Sequence, residues 1–591
     1  MTAVLERART AAPARPRGPV WVPVLSGTGG CLGLLGALLV VGFVAAGLAS
    51  GEIAWRTLLT TPVWDPPNGI FGVTAMVWGT AAVSTVALAL AVPIGWGAAV
   101  GLHEQLPPRL SRPLRSAVEL LAAVPSIVYG LVGVAVLRPF VSRLGDVPGG
   151  DSLLAAGLVL AVMVLPTIVA VSVDALAAVP ASVREAAYAL GLTRREVIRA
   201  AVLPLARPGM RAAVLLGLAR ALGETIAVFL LIGRADGRLP DPGSALQSLL
   251  SPGQTLTTKL GGPEPVLAGA VGEHRAALSA VALLLLLTVA GATLAGSRRG
   301  RPARRGARRP AGRWRPGTDH AVTLLRSGAV LLPVLLLGGI VTLLLARGGS
   351  ALSPSFWWSP AVGSSGGGVR DQIAGTVLLV AAAGAVALPA GLGLGLVLGE
   401  YTGARATRAL RTATLTLGGV PTILLGLAGY AFFSTALGWS KSWLAGSLVL
   451  VVVTMPIVAL ATAARLDQLA PARREAALAL GLTRSQLVRS VLLPHARPAV
   501  LTGLLLGLAR AAGETAPLLF TATVFAGAAT FPSGVVQAPV QALPTHIFTL
   551  AQDAADPAAL DAAWGSALVL VALAGLLLLA AIPARRRLER A

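Results

Sequence analysis

Forty-one residues of this sequence occur twice, the second copy following the first at an offset of 290. Residues 185–225 run from Glu185-Ala186-Ala187 through Gly191-Leu192-Thr193-Arg194 and Leu203-Pro204 to Arg220-Ala221-Leu222-Gly223-Glu224-Thr225. Residues 475–515 repeat the plan with Glu475-Ala476-Ala477, Gly481-Leu482-Thr483-Arg484, Leu493-Pro494 and Arg510-Ala511-Ala512-Gly513-Glu514-Thr515, and 25 of the 41 positions are identical without a gap. The register extends outward: Gly79-Thr80, Pro93, Glu104 and Pro125 match Gly375-Thr376, Pro389, Glu400 and Pro421 at offset 296, and Pro166 matches Pro456 at 290. The six-residue difference falls in the connection after the third apolar run, where an insertion disturbs least. A chain written this way must fold as two copies of one unit.

The unit belongs in a membrane. Only 12% of the residues are charged, against about a quarter in soluble domains, and the mean hydropathy is +0.78. A helix rising 1.5 Å per residue crosses the hydrocarbon in about 20 residues. Apolar runs of that length lie near 29–49, 73–102, 116–137, 153–176, 209–232 and 276–296, and again near 322–346, 373–399, 413–436, 444–464, 499–524 and 563–583. The first run is too long for the core of a cleaved signal peptide and is followed by eleven more, so it is read as a retained helix. The fold class is all-α integral membrane: twelve transmembrane helices in two parallel six-helix repeats, related by a pseudo-twofold axis along the membrane normal.

Arginine and lysine flanking spans are retained on the cytoplasmic side. The two termini and the loops at 103–115, 177–211, 400–411, 465–498 and 297–326 hold 36 of the 48 basic residues, and the opposite loops hold 10. Both termini and both copies of the repeat are therefore expected in the cytoplasm, with the protein in the plasma membrane. The expected domains are a cytoplasmic tail at 1–28, a first half at 29–296, a linker at 297–320, a second half at 321–583 and a tail at 584–591. Nine arginines interleaved with Gly and Pro at 297–318 read as a flexible tether attracted to anionic lipid rather than a nucleic-acid site. Lone Cys31 reads as a small core hydrophobe.

Reacting chemistry is missing from the sequence. Neither lysine, Lys259 or Lys441, follows a glycine, so no P-loop is present, and no H-E-x-x-H or cysteine cluster offers a metal site. No catalytic residue, metal or cofactor is assigned to this chain. Each copy of the repeat, however, reads as two short helices joined at a glycine, with Thr193 able to cap the second and Pro204 expected to end it.

The E-A-A spacing to Gly and then Leu-Pro resembles the loop by which ABC importer permeases engage their ATP-hydrolysing subunits, with Ala201 and Val491 standing where that family usually has Ile. The matching residues are Glu185, Ala186, Ala187, Gly191 and Pro204, and Glu475, Ala476, Ala477, Gly481 and Pro494. Arg-x-x-Gly-Glu-Thr in both halves, with Val124-Pro125-Ser126 and Val420-Pro421-Thr422, narrows the resemblance to phosphate-specific ABC permeases of type I architecture. The first half, with Trp64-Asp65-Pro66, is similar to the PstC-type subunit. The second, with Gly513-Glu514-Thr515-Ala516-Pro517 and Leu543-Pro544-Thr545-His546, is similar to the PstA-type subunit. The resemblance implies an ABC ATPase homodimer on the cytoplasmic face, which would hold ATP and Mg, and an extracytoplasmic phosphate-binding protein. It also implies ATP-driven inward phosphate transport by alternating access.

The second constellation places Arg220 and Glu224, and Arg510 and Glu514, one turn apart on what reads as one helix face. A charge inside a span costs several kcal/mol, from about 3 to over 10, and so faces a partner or a wet cavity. An arginine fork suits a phosphate oxygen pair. Arg220, Glu224, Thr225, Arg510, Glu514 and Thr515 are the expected substrate path; the competing reading is a pair of self-neutralising intrahelical ion bridges. A permease for another nutrient and a secondary transporter are the rival functions.

Overall fold

The computed structural model describes residues 21–590 apart from 146, 242, 269–271, 298–316, 363–365, 402–403, 526 and 528–529. The arginine-rich part of the expected linker and most of the N-terminal tail lie outside the described residues.

The architecture is all-α and multi-pass. Among the described residues ten helices are long and apolar enough to cross a membrane, and the pair Arg405–Gly419 and Thr422–Ala436, bent through 90°, reaches that length and apolarity only when its two helices are taken together, as a broken span or a re-entrant loop. The first expected span is the helix Trp21–Leu48, which begins eight residues before the expected boundary. Helix Pro557–Arg590 likewise runs on through residues expected to form a tail.

Each half is built on a crossing of two long helices: Thr74–Val100 on Leu153–Ala177, and Arg370–Leu396 on Trp443–Asp467. Small residues allow the contact. A Cβ added to Gly95 would lie 2.7 Å from Ile168, and one added to Gly391 2.6 Å from Val458, so glycine lets these backbones approach where lipid supplies no hydrophobic drive. The duplicated segment supplies the third helix of each group, Leu203–Gly223 and Leu493–Gly513.

The halves exchange their first helices. Trp21–Leu48 packs on Arg370–Leu396 of the other half, and Gly317–Gly348 packs on Thr74–Val100. A Cβ on Gly36 would meet Val452 at 2.9 Å, and one on Gly97 would meet Ala329 at 3.0 Å. The two repeats are thus interlocked rather than merely adjacent.

Four expected spans are corrected. The span at 116–137 is broken: Pro108–Ala123 ends before Pro125, and a new helix starts at Ser126. Its counterpart at 413–436 breaks at Pro421. The spans at 209–232 and 499–524 end early, at Gly223 and Gly513, and short helices Ile226–Phe229 and Ala516–Thr521 follow. Proline before Ser126 and Thr422 removes a backbone donor and biases its predecessor away from the helix, so the apolar run continues while the helix does not.

At the end of the molecule remote from the duplicated loops, helices Leu256–Gly261 and Leu543–Gln552 are pinned in matching fashion. The Leu256 N–H donates to Thr80 Oγ1 at 3.1 Å and the Leu543 N–H to Thr376 Oγ1 at 2.9 Å. Beside the first sits a buried ionic cluster. Lys259, 1% exposed, donates to Asp236 at 2.9 Å and Glu264 at 3.0 Å, while Glu264 also takes His274 Nε2 at 2.6 Å and Trp64 Nε1 at 3.3 Å. Trp64, Phe71 and His274 close over it with ring centroids 5.1–5.9 Å apart. Burial works to raise the Glu264 pKa, but the hydrogen bonds from Lys259, His274 and Trp64 outweigh it and hold the carboxyl below its ordinary value.

Candidate functional site

The four helix breaks meet. A Cβ on Gly223 would touch Pro421 at 3.7 Å, and one on Gly513 would press on Pro125 at 2.9 Å, so the break of each half seats on the break of the other. The short helices beyond the breaks pack within their own half: Gly130 lies against Ala227 and Leu230, and Gly426 against Pro517.

This crossing holds the six residues expected to form a path. Arg220 and Arg510 occupy the last turn of their helices, three residues before Gly223 and Gly513, the glycines that seat on the breaks of the opposite halves. Glu224 and Glu514 do not continue the helix as expected. Each stands at its C-terminal cap in extended conformation, at ψ 130° and ψ 125°, because the chain turns there toward the next short helix. The intrahelical geometry assumed for both pairs is therefore replaced by two unequal arrangements.

In the second half Arg510 Nε donates to Glu514 Oε1 at 3.3 Å, with the arginine 46% and the glutamate 14% exposed. In the first half Arg220 Nη1 donates to Thr167 Oγ1 at 3.1 Å, and Glu224 Oε1 instead accepts the Ala227 N–H at 3.4 Å. Thr167 stands about 21 Å by helix rise from the Leu153 end of its helix and about 15 Å from the Ala177 end, which puts Arg220 near mid-depth. The other two residues, Thr225 and Thr515, are 3% and 1% exposed, and both hydroxyls lack a hydrogen-bond partner. Buried hydroxyls are normally satisfied, so a matched pair of orphans, one in each half and five residues past an arginine, suits an oxygen-rich anion.

Beyond the crossing, Phe229 meets Phe548 across the two halves with ring centroids 5.4 Å apart. Arg234 lies over the Phe229 ring at 4.6 Å. This contact lies on the side of the crossing away from the duplicated loops.

The loops form two surface knobs. Helices Ala181–Ala189 and Pro471–Ala479 turn at Gly191 and Gly481, whose φ values are +76° and +81°; a residue with a Cβ pays for that conformation. Thr193 and Thr483 cap the second helix of each knob, their N–H groups donating to Glu196 and Gln486 at 2.8 Å. Pro204 and Pro494 do not end these helices. They sit in the first turn of Leu203–Gly223 and Leu493–Gly513, directly after a wider π turn in each copy, where a missing N–H costs little. Glu185, Ala186, Glu475 and Ala476 are exposed, while Ala187 and Ala477 are buried and seat each knob.

Two features of the knobs went unremarked in the sequence. Leu190 and Leu480 stand 80% and 84% exposed at the tips, flanked by Tyr188 and Leu478; apolar residues one step before each glycine were the available signal. Arg184 and Arg474 tie each knob to the body. Arg184 Nη2 reaches Glu104 at 2.8 Å and its Nη1 the Val179 carbonyl at 2.6 Å, and Arg474 reaches Glu400 at 3.7 Å and the Leu466 carbonyl at 2.7 Å. Their signal was an arginine preceding E-A-A in both copies, set against the matched Glu104 and Glu400. Pro125 and Pro421 were visible as motif residues but not as breaks.

Compared with known proteins, residues 91–297 and 391–589 each match the family described as binding-protein-dependent transport system inner membrane component. The phosphate transport system permease protein PstC of Haemophilus influenzae is 36% identical over 278 residues, covering 42% of this chain and 85% of its own length. The protein of the same name from Mesorhizobium japonicum is 39% identical over 224 residues, covering 34% of this chain and 68% of its own length. A probable ABC transporter permease protein, YqgH of Bacillus subtilis, is 42% identical over 177 residues, 30% of this chain and 57% of its own length.

Proposed function

Because this chain belongs to the family of binding-protein-dependent transport system inner membrane components, which matches it twice, we propose that it is the channel-forming subunit of an ATP-driven importer of inorganic phosphate. The observation that carries the reading is the placing of Arg220 and Arg510, one from each half, in the last helical turn before the breaks that seat on one another, with the orphan hydroxyls of Thr225 and Thr515 just past those breaks. The similarity to PstC proteins supplies the substrate.

Phosphate arriving from an extracytoplasmic binding protein competes with Glu514 for the Arg510 fork and with Thr167 for Arg220. Glu514 holds Arg510 when the crossing is empty, so an entering anion displaces a carboxylate there instead of falling into an irreversible trap. Thr225 and Thr515 donate to its free oxygens. The Phe229–Phe548 contact parts to admit it and closes behind it. The work comes from ATP and Mg on a separate homodimeric ATPase, which grips the knobs at 185–204 and 475–494. Arg184–Glu104 and Arg474–Glu400 carry its movement into the long helices. Both termini and both knobs face the cytoplasm of a cell whose plasma membrane holds the protein.

The test uses vesicles containing the full chain, the ATPase and the binding protein. Arg510→Gln removes a charge-assisted hydrogen bond of about 1.5–3 kcal/mol, which is roughly 10- to 100-fold in transport. Adding Glu514→Gln removes the carboxylate left unpaired. If Arg510 holds phosphate, the double variant assembles and stays inactive; recovery of ATP-dependent phosphate uptake in it would reduce the pair to a structural bridge.

A further inference from the structure

A groove of about 960 Å³ opens between the helices Arg370–Leu396, Leu493–Gly513 and Pro557–Arg590, at the upper end of the range for ligand sites, roughly 300–1,000 Å³. It is separate from the crossing. At about 100° per residue, Leu505 and Leu501 lie about 140° and 180° around their helix from Arg510, so the groove faces outward on the far side of the helix that carries the path. Its walls are apolar, with Leu388 and Leu392 on one side and Leu501 and Leu505 on the other, and its mouth carries Arg489 and Arg497.

The charge at that mouth is unmatched. Arg489 and Arg497 are exposed, no acidic residue lines the groove, and among the described residues neither arginine lies within ion-pair distance of a carboxylate. Other arginines toward the same end of the molecule are matched: Arg115 to Asp174 at 3.0 Å, Arg184 to Glu104 at 2.8 Å and Arg411 to Asp467 at 2.6 Å. The last helix reaches the mouth at Ala584, and Arg585-Arg586-Arg587 come directly after it in the sequence. From Arg497 to Leu505 the groove extends about 12 Å along the helix, close to one leaflet of a hydrocarbon core about 30 Å thick. An occupant must therefore be anionic at one end and apolar for the depth of a leaflet.

We propose that this groove is a binding site for an anionic phospholipid, with its headgroup phosphate on Arg489 and Arg497 and an acyl chain along Leu388, Leu392, Leu501 and Leu505. A free phosphate ion has no use for the leucines, and a protein segment docked on the knobs has no reason to enter so deep.

Purified full-length chain in detergent, stripped of lipid, is titrated with phosphatidylglycerol and separately with phosphatidylcholine of the same acyl chains, and bound lipid is counted by native mass spectrometry. The parent should hold its first phosphatidylglycerol in preference to phosphatidylcholine. Arg489→Gln with Arg497→Gln should weaken that binding roughly 30-fold, about fivefold for each arginine near an anionic headgroup, and leave phosphatidylcholine unchanged. Leu505→Trp, which fills the groove and keeps both arginines, should weaken the same first site; it serves as the independent check if the arginine variant unfolds. Undiminished phosphatidylglycerol binding in either folded variant would overturn the assignment. So would displacement of the lipid by inorganic phosphate, which marks a free-anion site, or loss of ATPase binding by the arginine variant with lipid binding intact, which gives the arginines to the ATPase.

Discussion

Gly513 and Gly223 occupy equivalent ends of the duplicated helices, yet the structure gives them different tolerances. A methyl group at Gly513 would lie 2.9 Å from Pro125 Cβ and 3.2 Å from its Cα, whereas one at Gly223 would lie 3.7 Å from the Pro421 Cα, an ordinary contact. Neither glycine has positive φ, so alanine meets no backbone penalty at either position and gains up to about 1 kcal/mol of helix propensity. At Gly513 the backbone of Pro125 must yield by several tenths of an ångström, and overpacking of this kind costs about 1–3 kcal/mol. Gly513→Ala should therefore be less stable than Gly223→Ala by about 1–3 kcal/mol and should widen the crossing at Arg510. The assay is unfolding of both variants in one detergent, paired with ATP-dependent phosphate uptake in vesicles. Gly223→Ala should match or exceed the parent in stability and retain uptake. Equal stability of the two variants would refute the idea that the breaks seat directly on one another.

Glu264→Gln should destabilise the protein at neutral pH and lose that effect in acid. A carboxylate with a depressed pKa contributes stability above its unfolded value, and that contribution fades as pH falls through the folded value; thermal unfolding of parent and variant across pH 3–7 would show the curves converging. Leu190→Ser with Leu480→Ser removes side chains already in solvent, so stability should stay within about 0.5 kcal/mol while affinity for the ATPase falls at least tenfold in a pull-down titration. Arg474→Gln, which cuts the link to Glu400 and Leu466, should leave ATPase binding near the parent value and reduce phosphate uptake per ATP hydrolysed, measured together in vesicles.

Hydropathy found the spans because a membrane helix needs about 20 apolar residues whatever its neighbours. It missed the breaks for the same reason: Val124-Pro125-Ser126 and Gly223-Glu224-Thr225 interrupt the helix without interrupting the apolar run. Proline alone was no guide, since Pro93, Pro166, Pro389 and Pro456 all lie inside continuous helices. The knobs were legible through glycine, because Gly191 and Gly481 do adopt the left-handed conformation that only glycine takes freely. The residues of the crossing were legible as charges where charge is expensive, but their pairing was not. The backbone turns at Glu224 and Glu514 alike, and the halves differ only in the side-chain partner each carboxylate then finds, the Ala227 N–H for Glu224 and Arg510 for Glu514, a detail the shared motif does not carry.

The exchanged first helices impose an order on the making of this protein. Trp21–Leu48 leaves the ribosome first, and its packing partner Arg370–Leu396 comes more than three hundred residues later, about 15 to 60 s at ordinary rates of translation. During that interval the helix waits in lipid without its final neighbour. A chain truncated before residue 370 therefore leaves that helix with only the Gly272–Ser297 side of its packing, and a first half made alone also lacks the Gly317–Gly348 helix that covers Thr74–Val100. Joining both halves in one polypeptide ensures that each nascent helix meets a partner from its own molecule.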